Sequence, residues 1–482
     1  MADNKEESKA EEAPETTHHF AENGENDVNE ENGDAEGQDE EVATEKKNVK
    51  TVSADAPWGE RMWEVFSTFW PLGLVAFGGP QAHVAILRDH LVEQRGWLDE
   101  EQFTELFAIG QGLPGPTSTQ LVVSTALSRA GPLGGLMAFF LWNLPGLIIL
   151  TACGVLLAEF IPDPDNPPFW LAGLPPAAIS LVFKAAYAFS KKLDSLGVCL
   201  SLASALIAIL INNDDRIPPN VSQWVFPTTL AVGGLITFVD HKRPNPWSKY
   251  SSPSAGWDRE SDATIKRIGI PLWVGFLILL SYFAILILVI ILVDVYEVEN
   301  DYLEIFEKMY RIGSVIFGGG QVVLPMLQDE VVPRWMNDET FLQGLGLAQS
   351  MPGPLFNFAS YLGAVYKRIP GALVAYVGLF APGVILIFAV VPFWATLRKY
   401  SAFKAILKGV NATAIGLVMA ACVILWEAAV HTAADAMVFC FAGTLAAYFG
   451  IQAPIVVIAG GVLGAILHVD VIDLGQTPYC DA

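Results

Sequence analysis

Neutral donor side chains gather around two interruptions of apolar sequence, and such donors suit a hydrated oxyanion that must be bound without being trapped. The first interruption is Gln111-Gly112-Leu113-Pro114-Gly115-Pro116, followed by Thr117, Ser118, Thr119 and Gln120. The second is Gln349-Ser350-Met351-Pro352-Gly353-Pro354, with Asn357 after it. A glycine run precedes each: Phe77-Gly78-Gly79-Pro80-Gln81 and Phe317-Gly318-Gly319-Gly320-Gln321. Phe77 and Phe317 are 240 residues apart; Trp97 and Trp335, like Pro114 and Pro352, are 238 apart. One block therefore occurs twice.

Glycine has no side chain to hold a helix, and proline removes a backbone donor. Inside a bilayer, freed backbone groups persist only where protein or water satisfies them. Matched breaks in two halves of a chain point to a transport site. A helix that starts at such a break aims unpaired N–H groups and a partial positive charge into the interior, which favours an anion. The alternative is that Pro-Gly-Pro only kinks packed helices, with hydroxyls bonding back to the backbone.

The candidate substrate-binding set follows from these patterns. In the first half it is Gly78, Gly79, Gln81, Gln111, Gly115, Thr117 and Ser118, and in the second Gly319, Gln321, Gln349, Ser350, Gly353 and Asn357. Arg88, on the polar face of the amphipathic stretch 81–102, could add a full positive charge and paired donor contacts. Snorkelling to the interface is its alternative. Glu105, near the start of a broken helix, and His83 are candidates for proton coupling. Helix-end electrostatics and a structural histidine are theirs. No metal-ligand spacing, phosphate loop or hydrolase motif occurs, so no cofactor, metal or enzymatic activity is expected.

The elements that must position these residues are membrane helices. The chain has 482 residues, 52% hydrophobic and only 16% charged. Apolar runs of the roughly 20 residues that cross a bilayer recur throughout. The fold class is therefore an all-α polytopic membrane protein. Residues 1–56 hold 18 acidic residues and five lysines, which is −13 of the net −23, and are expected to be a disordered acidic tail. The cysteines are scattered and read as small buried hydrophobes.

The first repeat spans 57–239, with apolar runs at 62–78, 103–128, 132–158, 173–190, 195–213 and 223–239. A basic linker and a lone span fill 240–294. The second repeat covers 295–470, and 471–482 is a short C-terminal tail. With about six crossings per half plus the lone span, an odd number separates equivalent points, so the halves read as inverted repeats. Lysine and arginine bias puts the N-terminus in the cytoplasm and the C-terminus outside. That layout places Arg129 and Arg334 inside, and Arg95, Lys367 and Arg368 outside.

The motifs resemble the chromate ion transporter family. The likeness rests on Phe77-Gly78-Gly79-Pro80 with His83 and Leu87-Arg88, on Gly96-Trp97-Leu98-Asp99-Glu100 with Phe103, and on Leu113-Pro114-Gly115-Pro116. In the second half it rests on Phe317-Gly318-Gly319-Gly320, Trp335 and Gln349-Ser350-Met351-Pro352-Gly353-Pro354 with Asn357. The resemblance implies a long-chain, two-domain member of eukaryotic type, with oppositely oriented halves. It also implies chromate transport driven by the proton gradient, with sulfate as a related oxyanion. The expected partners are the oxyanion and membrane lipid, with a homo-oligomer compatible and nucleic acid not expected. The expected location is the plasma membrane. An oxyanion channel, or a receptor or scaffold working through the acidic tail, are the rival readings.

Overall fold

Proline and glycine decide where the helices of this chain stop and turn. The computed structural model describes residues 56–77, 79–160, 171–191, 193–212, 219–243, 270–317, 320, 323–394 and 400–468. The acidic tail, most of the basic linker, and Gly78, Gly319 and Gln321 lie outside the described residues. All described residues belong to one compact unit, and among them every regular element is helical.

In chain order, α1 is Trp58–Val75, α2 is Gly79–Arg88 and ends in a wide turn over Asp89–Gln94, and α3 is Glu100–Gln111. Then α4 runs Thr117–Phe160, followed by α5 (Leu174–Ser190), α6 (Ser195–Asn212) and α7 (Pro219–His241). The lone span is α8, Leu272–Ile290. The second half holds α9 (Asp301–Val315), α10 (Val323–Val331), α11 (Asp338–Ser350) and α12 (Phe358–Val390). It closes with α13 (Ser401–Ala429), α14 (Ala433–Ala447) and α15 (Ala453–His468). The stretches Thr117–Glu159, Leu272–Val295, Leu355–Phe393 and Ser401–Ala429 are long and apolar enough to cross a membrane.

Two of the long helices are hairpins. Gly131, with φ 74°, folds α4 back on itself, and a Cβ on Gly135 would lie 3.2 Å from the Val123 carbonyl. In α12 the turn is at Lys367 and Arg368, and Gly363 and Gly371 touch across it. The sequence places breaks at these same points, between the runs 103–128 and 132–158 and between 341–366 and 370–395.

Contacts fix which ends lie together. Near the start of α1, Glu64 accepts from Arg129 at the α4 turn and from Trp97 Nε1 at 3.0 Å. So α1 and α2 enter and leave at one end, and so do α3 and the first arm of α4. The second half repeats this: Glu304 pairs with Arg334, Asp301 with Lys367, and the Trp335 ring stacks 5.2 Å from Tyr366. The second arm of α4 leaves the first cluster at Pro132, and its Glu159 bonds Arg368 beside the second. At 1.5 Å per residue that arm is roughly 40 Å long, enough for the ~30 Å hydrocarbon core. The two clusters thus sit at opposite ends of a membrane-spanning arm.

This corrects the crossing count read from the sequence. The runs 62–78 and 303–319 return through the next segment instead of crossing, and the runs 103–128 and 341–366 are themselves hairpins about the Pro-Gly-Pro breaks. It also moves two arginines. Arg95 lies at the same end as Arg129, with both guanidiniums within 6 Å of the Trp97 ring centroid (5.9 and 5.4 Å), and Arg334 lies at the opposite end with Lys367.

Glycine lets the hairpins seat tightly. A Cβ on Gly73 would stand 2.2 Å from the Leu141 carbonyl oxygen, and one on Gly313 2.4 Å from that of Leu379. Backbone cannot move aside as a side chain can. Gly73→Ala and Gly313→Ala are each expected to cost about 1–3 kcal/mol, seen as a lower melting temperature of purified protein. Gly59→Ala, with open space around it, is the control and should melt like the parent. Equal melting of all three would refute the close approach.

Candidate functional site

The two breaks meet in the interior, and each is held by the other half of the chain. After α3 the backbone passes Pro114, Gly115 at φ +121° and Pro116 before α4 begins. After α11 it passes Pro352, Gly353 at φ +96° and Pro354, then a tight turn at Leu355–Asn357 before α12. The Gly115 N–H donates to the Ile316 carbonyl at 2.8 Å, and the Gly353 N–H donates to the Ala76 carbonyl at 2.8 Å. Ala76 and Ile316 stand just before the two glycine runs. Each Pro-Gly-Pro is therefore tied to the other half's glycine break.

The long return arms cross over in the same reciprocal way. A Cβ on Gly115 would lie 2.7 Å from the Gly383 Cα. One on Gly146 would lie 2.2 Å from Asn357 Nδ2 and 2.8 Å from the Pro352 carbonyl oxygen. Both the positive φ and the contact require glycine at 115. The sequence reading missed Gly146 and Gly383. The signal was there: Pro145-Gly146 and Pro382-Gly383 are 237 residues apart, a further match between the halves.

Buried polar atoms without a partner collect at these helix starts. Asn357 is 1% exposed and neither its Oδ1 nor its Nδ2 is bonded. Thr117 Oγ1 and Gln120 Oε1 are also buried and unbonded. Leaving such groups unmet in a low-dielectric interior costs about 1–3 kcal/mol each, so a cluster of them marks a place where water or a ligand belongs. The first N–H groups of α4 lack partners within their own helix and add a partial positive charge there. Of these atoms Thr117 Oγ1 and Asn357 Nδ2 can donate, whereas Gln120 Oε1 and Asn357 Oδ1 are acceptors that suit water.

The other residues singled out from the sequence fall into separate groups. Ser118 is buried, and its hydroxyl pairs with His83 Nδ1 at 3.2 Å. His83 is fully buried; its Nε2 donates to the Ala76 carbonyl at 3.0 Å, and its ring meets Trp142 edge-on at 5.2 Å. The Ala76 carbonyl thus accepts from both His83 and Gly353, linking α2 to the second break. Thr119 reaches Asn143 Oδ1 at 3.5 Å, and Gln120 Nε2 donates to the Pro114 carbonyl at 2.7 Å and the Gly383 carbonyl at 3.3 Å. Gln120 therefore braces the first break.

Gln111 and Gln349 close α3 and α11, half-buried, and the Ser350 hydroxyl bonds back to the Leu347 carbonyl at 2.7 Å. Gly79 takes φ +78° at the start of α2. The side chains of Gln81 and Glu105 lie outside the described residues, although α2 and α3 carry their backbones. Arg88 is not brought to the breaks. Its side chain is 44% exposed and bonded to Glu100 at 2.8 Å and Glu93 at 2.6 Å. The acids that claim it lie in the chain just after it, a pairing that charge alone did not reveal.

Comparison with known proteins bears on the same residues. The family model described as Chromate transporter matches residues 63–248 and 303–465, a span that includes both breaks. The chromate transport protein of Pseudomonas aeruginosa is 27% identical over 363 residues, covering 74% of this chain and 79% of that protein. The chromate transport protein of Cupriavidus metallidurans is 24% identical over 366 residues, covering 74% and 80%. An uncharacterised transporter of Methanocaldococcus jannaschii is 26% identical over 360 residues, covering 74% and 82%. No solved structure matches the chain. With both halves matched, and with the membrane hairpins and paired breaks described above, the chain belongs to the chromate transporter family.

Proposed function

We propose that this chain is a secondary active transporter of chromate, and of sulfate as a related tetrahedral oxyanion, coupled to the proton gradient. The carrying observation is the pair of unpartnered buried donors, Thr117 Oγ1 and Asn357 Nδ2, at two helix starts that the opposite halves hold in place. Glycine and neutral donors let the backbone approach a dianion without a trapping charge. The names of the Pseudomonas and Cupriavidus relatives support the substrate. The reciprocal ties of Gly115 and Gly353 suit two inverted halves that rock about a shared centre, giving alternating access.

His83 is the proton-coupling residue in this reading. A neutral ring with its hydrogen on Nε2 takes the Ser118 hydroxyl hydrogen on Nδ1. A protonated ring gives a hydrogen to Ser118 instead and frees that hydroxyl to face the anion. Glu105 remains the second candidate. The N-terminus is cytoplasmic in this reading and the protein sits in the plasma membrane. In this reading Arg61, Arg88, Arg95 and Arg129 lie at the α1 end together with Lys242, Arg243 and Lys408, against Lys308, Arg311, Arg334, Lys367 and Arg368 toward the other, and such a bias favours the cytoplasmic face for the α1 end.

The test is chromate and sulfate flux in vesicles reconstituted with the full chain, with and without a pH gradient. Saturable flux that a proton gradient can drive uphill is expected. No flux of either anion would refute transport, and flux that neither saturates nor concentrates would make the protein a channel. Arg88→Ala, outside the donor cluster, is expected to leave KM within about twofold of the parent, because an exposed ion pair contributes little. A tenfold or larger rise would return Arg88 to the substrate path.

A further inference from the structure

The two outer ends of the molecule carry different charge. In the repeat alignment Arg61 stands where the second half has Asp301, Glu64 where it has Glu304, and Arg129 where it has Lys367. At the second-half end each cation has its own acid: Arg334 has Glu304 and Lys367 has Asp301. Among the described buried side chains of the first-half end one carboxylate, Glu64, faces the guanidiniums of Arg61, Arg95 and Arg129. Glu64, 4% exposed, accepts on Oε2 from Arg129 Nε at 2.9 Å and Nη2 at 2.7 Å, and on Oε1 from Trp97 at 3.0 Å. Its acceptor capacity is largely taken by Arg129 and Trp97.

Arg61 and Arg95 are left over. Arg61 donates once, from Nη1 to the Arg129 carbonyl at 3.2 Å. Arg95 makes no hydrogen bond or ion pair among the described residues and lies 5.9 Å from the centroid of the Trp97 ring. The Nε–H of each is buried and unbonded. Both side chains are half-buried, so their forks are held yet reachable from outside. The nearby acids Glu60 and Asp99 are exposed. The result is two half-buried guanidiniums with unspent planar donors near one aromatic ring, with exposed acids on the surrounding chain.

We infer that Arg61 and Arg95 form a capture site for a doubly charged tetrahedral oxyanion at the α1 mouth, distinct from the site at the breaks. The inference rests on the oxyanion-transport reading. Guanidinium forks match such oxyanions through paired donors. Partly desolvated guanidiniums with unspent donors raise the local anion concentration and the association rate, and salt screens the effect. At the opposite mouth, where Asp301 replaces Arg61, Arg334, Lys367 and Arg368 are each ion-paired. The two faces should therefore load substrate unequally.

Sulfate flux of the full chain in neutral phosphatidylcholine vesicles tests this, started from each face after an impermeant reagent silences one orientation. At low salt the α1 face is expected to show a KM about tenfold below that of the other face, with the gap closing near about 0.5 M salt. Arg61→Gln with Arg95→Gln should raise KM about tenfold on that face only, with kcat unchanged, and Arg61→Lys should retain part of the effect. Equal KM on both faces in the parent, or the same shift on both faces in the variant, would overturn the capture site.

Protection of the purified protein from heat by sulfate is the second readout. The parent should keep a protection component that the double glutamine variant lacks. Loss of that difference overturns the capture site even if flux is absent, whereas absent flux with the difference intact overturns only the transport reading. If phosphatidylglycerol protects the parent over the variant and sulfate does not, the site belongs to a lipid headgroup and the proposal fails.

Discussion

Asn357→Asp is expected to abolish measurable oxyanion transport in a protein that still folds. Asn357 is buried, both amide atoms lack partners, and it sits at the helix start that follows the second Pro-Gly-Pro. Aspartate has nearly the same shape, so the packing against Gly146 is little changed. The difference is charge. A carboxylate about 4 Å from a dianion opposes it by several kcal/mol even at an effective dielectric near 20. A loss of at least about 100-fold in kcat/KM corresponds to about 2.7 kcal/mol, well inside that figure. Protonation removes the repulsion, so the ratio of variant to parent flux should rise as the pH falls. The measurement is chromate flux in vesicles across a pH series, with chromatographic elution as the check on folding. Parental kinetics in a folded Asn357→Asp protein would remove this break from the anion's path.

Much of the arrangement was legible in the sequence because proline and glycine act locally. The interruptions at Pro114–Pro116 and Pro352–Pro354, and the turns near 131 and 367, follow from what those residues do to a backbone. The duplication made the two breaks equivalent, and the structure shows them held by equivalent bonds. Local rules do not say which break touches which. The ties from Gly115 to Ile316 and from Gly353 to Ala76 cross between halves, and nothing in either peptide specifies its distant acceptor. The same limit left the hairpin of α1 and α2 open, although 81–102 reads as too charged to cross and able to re-enter or lie at the interface. An apolar run of spanning length reads the same whether it continues across or turns back at Gly78-Gly79.

Charged residues were the least legible. Arg88 reads as a free cation on a polar face, but Glu93 and Glu100 lie close enough in the chain to claim it. Glu64, within the run 62–78, reads as one acid in an apolar run. Only the folded hairpins bring it to Arg129, 65 residues away. Gln120 shows a related ambiguity. Its amide reads as a ligand for the anion, yet its nitrogen is spent on two carbonyls that shape the break, leaving the oxygen unbonded.

Arg129→Leu should be among the most destabilising single substitutions in the chain. It removes the guanidinium that donates twice to the buried Glu64 carboxylate. Removing one partner of a buried ion pair costs about 3–5 kcal/mol, because the remaining charge cannot recover its lost hydration. The consequence reaches beyond the pair, since Glu64 joins the start of α1 to the α4 turn and to Trp97, the three strands of chain that close this end of the first-half hairpins. Glu64→Leu with Arg129→Leu removes both charges and should be more stable than Arg129→Leu alone, with a coupling of about 0.5–3 kcal/mol between the sites. Glu159→Gln is the contrast: its pair with Arg368 is exposed on both sides, at 55% and 64%, and should contribute no more than about 1 kcal/mol. Thermal unfolding of the purified variants decides the matter. If Arg129→Leu melts with Glu159→Gln, or if the double variant is no better than the single, then Glu64 is not the clamp that holds this end of the hairpins together.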